Sequence, residues 1–195
     1  VTSVGEGSTG FNVRGGAADQ NLILLYGAPL YNSSHFFGFF SAVNPDVIKE
    51  VTLYKGGIPG KYGGRLSSVL DITPRDGNRN EFSGNAGISP VTTHVMIEGP
   101  LIRDTLFYLI TGRTTYSDWI MRAVESSSLR NSSARFNDIN LRLTYDRSRK
   151  DKIDLSAYHS FDSFRLNSDT AYQYRNNILS LKWRHYFNNL FFSSM

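Results

Sequence analysis

The chain has no cysteine, which excludes disulfides and thiolate metal sites. It has no run approaching the ~20 apolar residues that a membrane-spanning helix requires. Charge of one sign is also scarce. The net charge of +4 is small and the basic residues are scattered among acids, which argues against a nucleic-acid partner. Catalytic patterns are missing as well. There is no G-x-S-x-G elbow to present a nucleophilic serine. Gly60-Lys61 looks like the end of a phosphate-binding loop, but Lys55 stands where that loop needs its first glycine and Tyr62 where it needs Ser or Thr. His35, His94, His159 and His185 lie far apart without paired ligand spacing, so no metal or cofactor is expected. Val1 is followed by neither the basic region nor the apolar core of an export signal. The last residues, Leu190–Met195, read as the start of a new strand, so the expectation is a piece of a longer chain.

What is present is glycine and aromatic residues. Gly 17 and an aromatic content of 13% favour β-structure with many turns, because glycine punctuates the chain and rings fit pleated surfaces. The glycines concentrate between Asn12 and Asn78, among short apolar runs. Asn21–Tyr26 is nearly continuous in apolar residues and suits a strand buried on both faces. Asn44-Pro45-Asp46 is a helix start, with a capping Asn, a Pro at the first position and an acid near the positive end of the dipole. That helix must be brief, because Val51–Tyr54 is strand-like. Glycine turns follow at residues 56–60 and 63–64, and Ser67–Thr73 is a further strand. Residues 1–80 thus read as a small α+β globule.

From Phe82 onward the chain alternates polar and apolar residues. Ile139, Leu141, Leu143 and Tyr145 share one face of a strand; Asp138, Asn140, Arg142 and Thr144 share the other. Ile178–Phe187 repeats the pattern, with Leu179, Leu181, Trp183 and Phe187 against Ser180, Lys182 and Arg184. Ile153–Phe161 does so with His159 interrupting its apolar row. A soluble sandwich gives the same alternation. Three details favour a transmembrane β-barrel. The segments reach the ten or so residues a tilted strand needs. Their polar faces carry opposite charges, read as the pairs Asp138 with Arg142 and Asp154 with Lys182, which suits a hydrated or plugged lumen. The connections alternate between short ones at Pro100–Asp104, Arg147–Asp151 and Asn188-Asn189 and long polar ones at Ser117–Arg135 and Leu166–Arg175, the first hairpin near Pro90-Val91 being an exception, short on the outer rim. The expected strands are Phe82–Ser89, Thr93–Gly99, Thr105–Tyr116, Phe136–Asp146, Lys152–Phe164 and Asn176–Phe187, with a seventh beginning after Asn189. The fold class is therefore mainly β: a small α+β plug followed by the first six to seven strands, within residues 81–195, of a large antiparallel barrel. Barrels that hold a plug have about 22 strands.

Asn12–Gly16 (NVRGG), Asp19–Leu25 (DQNLILL), Asn44–Tyr54 (NPDVIKEVTLY), Lys55–Asp71 (KGGIPGKYGGRLSSVLD) and Glu98-Gly99-Pro100 together resemble TonB-dependent outer-membrane receptors, particularly those of Bacteroidota-like bacteria. The resemblance covers the later plug and the start of the barrel. It implies a bacterial outer-membrane receptor that imports a scarce ligand (iron chelate, cobalamin, glycan or peptide) and is not an enzyme. It also implies energy from TonB, contacted through a segment outside these residues. Outer-membrane lipid is the surrounding partner, and a surface lipoprotein or other outer-membrane subunits are further possible partners. The alternative is a non-transporting barrel, structural or signalling, within an outer-membrane complex; a soluble β-rich adhesin is a third reading. Many members have Asp-Gly where this chain has Tyr26-Gly27, so no acidic role is carried over there.

Three groups of site residues follow as expectations. Arg14 and Arg65 sit beside plug glycines, and one of them is expected to pair with a barrel carboxylate such as Glu98 as a plug–barrel lock, since a buried charge needs a partner. Tyr31–Phe40 is an aromatic-rich loop. Either Tyr31, His35, Phe36 and Phe37 face a ligand, or the phenylalanines of the loop are plug core. Asp138, Asn140, Arg142, Lys182 and Arg184 are expected to face the lumen.

Overall fold

The computed structural model describes residues 2–3, 10–35, 38–116, 118–123, 132–146, 148, 150–165, 170–187 and 191–195. The first part holds eight short strands: β1 (Thr2–Ser3), β2 (Phe11–Asn12), β3 (Asn21–Leu25), β4 (Ala28–Pro29), β5 (Ser34–His35), β6 (Phe40–Ser41), β7 (Ile48–Tyr54) and β8 (Ser68–Pro74). Four of them form a mixed sheet in the order β4-β3-β8-β7, in which β3 and β8 run parallel. Asn21 fixes the start of that parallel pair. Its amide donates to the Phe11 carbonyl at 2.8 Å, and Ser68 Oγ donates to its Oδ1 at 2.6 Å. Asn44 caps the turn that follows β6, accepting from the Asp46 N–H at 3.0 Å, with Pro45 at the first position. The turn is a three-residue 3-10 helix, Pro45–Val47, because the β-branched run Ile48, Val51 and Thr52 draws the chain straight into β7.

The β3–β4 hairpin turns on Tyr26 (φ 59°) and Gly27 (φ 81°). Two positive φ values are what a two-residue hairpin loop of right-handed twist demands. Asp-Gly meets that demand cheaply; tyrosine does not. Tyr26 is nonetheless buried, and its hydroxyl donates to Asn140 Oδ1 at 2.8 Å, so tertiary contact offsets the backbone strain.

The second part is a seven-stranded antiparallel meander: β9 (Ser83–Ile88), β10 (Thr92–Ile102), β11 (Leu106–Thr115), β12 (Ser133–Tyr145), β13 (Asp151–Arg165), β14 (Ala171–Tyr186) and β15 (Phe192–Ser194), each paired with its sequence neighbours. A short helix, α1 (Asp118–Ala123), lies between β11 and β12. Its Trp119 indole N–H donates to the Pro90 carbonyl at 3.0 Å and so covers the tight Ser89–Thr92 turn on the same rim. β12 begins at Ser133 and β14 at Ala171, earlier than the alternation indicates. Pairing of Ser133 with Arg165, and of Arg165 with Ala171, carries the ladder past the last apolar positions. The strands of 13, 15 and 16 residues exceed the 9–11 or so that a tilted bilayer crossing needs. The expected turns at Arg147–Asp151 and Asn188-Asn189 lie partly or wholly outside the described residues.

Burial in this sheet runs opposite to that of a soluble sandwich. On β12, Asp138, Asn140, Arg142 and Thr144 are buried, while Ile139 is 53% exposed. On β13, Asp154, Ser156, Ser160 and Asp162 are buried. On β14, Leu179, Leu181 and Trp183 are exposed. The polar face closes on the first part, and the apolar face looks outward. The buried apolar cluster crosses the junction: Leu25, Tyr26, Leu30, Val43, Val47 and Ile72 meet Leu109, Tyr158 and Ile178 of the wall.

Candidate functional site

The interface between the two parts is the densest polar constellation described. Its hub is Asp76, two residues past β8. Pro74 ends the strand, and the chain then crosses to the wall. There Asp76 Oδ1 accepts from Arg142 Nη2 at 2.8 Å and Nε at 3.1 Å, and its Oδ2 accepts from Lys152 Nζ at 2.6 Å. Arg142 also donates to Asp154 at 2.8 Å and Ser156 at 2.9 Å, and Thr144 donates to Asp154 at 2.9 Å. Burial works to raise the Asp76 carboxyl, but the bonds from Lys152 and Arg142 outweigh it and hold its pKa below the usual value. Gly77 follows because nothing larger fits: a Cβ there would stand 2.1 Å from the Tyr108 carbonyl oxygen.

Glu98 of β10, itself buried, accepts from Arg75 Nη1 at 2.7 Å, and Arg75 Nε donates to the Asp46 carbonyl at 2.6 Å. The structure therefore corrects the expected partners of Glu98. Arg14 lies against Gly56 within the first part, and Arg65 donates to the neighbouring Gly64 carbonyl. Both are exposed. Arg75 reaches Glu98 because it sits where the chain passes from β8 to the wall.

The expected pairs within the wall are also corrected. Asp138 is paired by Arg113 at 2.7 Å, and Asp154 by Arg142. Residues four apart on one strand are separated by about 13 Å, so Asp138 and Arg142 cannot meet; charges pair across strands and to the plug instead. Lys182 stands opposite Asp154 in register but turns to the hairpin tip, where its Nζ would lie 3.1 Å from a Cβ at Gly27. Beside it, Ser180 Oγ donates to the Tyr26 carbonyl at 3.0 Å. Arg184 stands opposite Lys152 and is exposed.

The β5–β6 hairpin presses its histidine onto the wall. His35 is fully buried, which corrects the expectation that it faces a ligand. Its Nδ1 lies 2.9 Å from Asp162 Oδ1 and Oδ2, and its Nε2 lies 3.4 Å from Asp138 Oδ2. The ring stacks on Phe136 at 4.2 Å. Arg113 donates to the Ser41 carbonyl at 2.9 Å, and Tyr158 to the Ala42 carbonyl at 2.8 Å. Tyr31 is 83% exposed, whereas Phe36 and Phe37 lie outside the described residues. Between this hairpin and the wall is a cavity of about 220 Å³ lined by Asn32, Ser34, Asp162, Phe164 and Tyr174 among others.

Sequence reasoning missed Arg75, Asp76 and Lys152. The first two lie in Pro74-Arg75-Asp76-Gly77-Asn78, whose composition reads as a turn and nothing more.

Residues 1–68 match the family model of the TonB-dependent receptor plug domain. Among solved structures, the siderophore receptor PirA of Acinetobacter baumannii superposes with a TM-score of 0.59 at 19% identity, over 87% of this chain and 30% of that one. A G324V mutant of the ferric enterobactin receptor PfeA of Pseudomonas aeruginosa gives 0.60 at 16% identity, over 88% of this chain and 31% of that one. The chain thus spans about 30% of the length of the solved receptors it resembles. No curated protein matches it. Residues 1–68 are thus similar to the plug domain of TonB-dependent receptors, and the chain shares the fold of the plug and opening barrel strands of these solved receptors.

Proposed function

We propose that residues 1–80 are the later part of a plug and residues 81–195 the first strands of a barrel of about 22, in a bacterial outer-membrane receptor that imports a scarce ligand with energy from TonB. The observation that carries this reading is the burial of the polar residues of β12 and β13 toward the plug, with Ile139 of β12 and Leu179, Leu181 and Trp183 of β14 exposed on the outer face. Such a wall suits lipid on one side and a hydrated plug on the other. The rim that bears α1 would face outside, and the tight Arg103–Thr105 turn would face the periplasm.

The interface suits a plug that must stay closed at rest and move under load. Arg75–Glu98 and the Asp76–Arg142–Lys152 group act as the lock. Their charges are satisfied while docked and can exchange protein partners for water once the plug shifts. An all-apolar seam would offer no such exchange. The ligand class to test first is a ferric siderophore, as the PirA and PfeA names suggest. Uptake of a radiolabelled ferric siderophore would be measured in cells carrying the full-length receptor, with and without TonB. Accumulation that needs both supports import. Binding without accumulation in either strain would contradict it and favour a structural or signalling barrel.

A further inference from the structure

We propose that His35 is a proton-operated latch fastening the β5–β6 hairpin of the plug to the inner wall of β12 and β13, closed while the imidazole is protonated and loosened when it is neutral. The proposal rests on the receptor reading above and concerns regulation of the same interface, at a point separate from the Arg75 and Asp76 contacts.

The charged and titratable groups around His35 come from every element packed on it. Asp138 belongs to β12, Asp162 and Tyr158 to β13, and Arg113 to β11; Arg135 of β12 borders the cavity beside Asp162, but its charge is balanced by Asp118 of α1. Arg113 pairs with Asp138 at 2.7 Å and also holds the Ser41 carbonyl of the hairpin. Two carboxylates and one guanidinium leave a buried excess of one negative charge. An imidazolium cancels it; a neutral imidazole does not. The ring's donors make the same argument. Protonated, His35 has two N–H groups, one for Asp162 at 2.9 Å and one toward Asp138 at 3.4 Å. Neutral, it has one, and one carboxylate faces a nitrogen lone pair. His35 and the Asp138 side chain are fully buried, with Phe136 stacked on the imidazole and the Phe40 ring 5.3 Å from that of Phe136, whereas Asp162 borders the cavity. On the Asp138 side the loss finds no other partner in the docked state, and this favours lifting of the hairpin.

Burial alone pushes His35 toward the neutral form, but hydrogen bonding and charge from Asp138 and Asp162 outweigh it and raise its pKa above the ordinary value. A raised value in the docked state means that docking is fully supported below about pH 6.5 and weakens as pH climbs through the raised value.

The test uses the full-length receptor in liposomes, without TonB or ligand. A nitroxide is placed at Tyr31→Cys, chosen because Tyr31 is exposed and four residues from the latch. The mobile fraction is expected to rise along a single-proton titration above pH 6.5 and to reverse on acidification. Asp162→Asn should move the midpoint to lower pH. His35→Gln should leave the label mobile at all pH values, with heat-modifiable migration on gels confirming a folded barrel. Should His35→Gln fail to fold, the Asp162→Asn shift and the imidazole ¹⁵N titration of the unsubstituted protein carry the test. Mobility that is flat from pH 5 to 9, or a titration that survives in folded His35→Gln, overturns the latch. Absent uptake with an intact titration would remove the import reading alone; a flat titration with intact uptake would remove the latch alone.

Discussion

Replacing Asp76 by Asn removes one charge from the plug at constant shape. The carboxylate is bonded to Lys152 at 2.6 Å and Arg142 at 2.8 Å, with side-chain exposures of 27% for Asp76, 9% for Arg142 and 20% for Lys152. Breaking a buried pair costs about 3–5 kcal/mol, and an exposed pair contributes about 0–1 kcal/mol. Arg142 keeps Asp154 at 2.8 Å, whereas Lys152 loses its carboxylate. The expected cost is therefore intermediate, roughly 2–4 kcal/mol, or about 30- to 900-fold in the equilibrium for plug release. Amide hydrogen exchange of β7 and β8 in the reconstituted full-length receptor reads that equilibrium, and exchange there should accelerate by the same factor. The pH dependence has a definite sign. The docked carboxyl is held below its ordinary pKa, so its stabilisation is present above about pH 4 and is lost as pH falls through the docked value. The gap between wild type and Asp76→Asn should close under acid. Acceleration below about threefold at neutral pH, roughly 0.7 kcal/mol, would refute the hub.

Glu98→Gln should leave Arg75 facing a neutral partner in a site where Glu98 is buried, and leak currents in planar bilayers should rise; unchanged currents and plug release would count against this part of the lock. Gly77→Ala should dislodge the plug-to-wall crossing, because the new methyl meets the Tyr108 carbonyl at 2.1 Å, and single-channel recordings should show frequent openings. Leu179→Arg, on the outward face at 75% exposure, should destabilise folding into vesicles by about 2–4 kcal/mol if it lies near the bilayer midplane; urea titration in lipid measures it.

The wall was legible because alternation at period two is a local property. Ile139 through Thr144 declare their two faces without reference to any other strand. Which face turns inward is not local, and connection length and strand length had to decide it. The plug strands were legible from glycine punctuation, and Asn44-Pro45-Asp46 marked its turn. Partner identity was not legible. Glu98 meets Arg75 rather than Arg14 or Arg65 because the crossing from β8 to the wall sets the distance, and nothing in the order of residues states where that crossing passes. The composition of Tyr31–Phe40 leaves open a ligand-facing loop or plug core, and the pairing of β5 with β6 places His35 in a fully buried position. Short strands of this kind carry no periodicity to read.

The central claim is that this sheet is a membrane wall with its greasy face on lipid and its wet face on the plug. Nitroxides placed one at a time from Leu179 to Arg184 in β14 of the full-length receptor, in a lipid bilayer, test it most directly, with collision rates measured against oxygen and a water-soluble nickel chelate. The account predicts strict alternation: oxygen-accessible at 179, 181 and 183, and nickel-accessible or protected at 180, 182 and 184. Nickel access at all six positions, or oxygen access at the even ones, would contradict it.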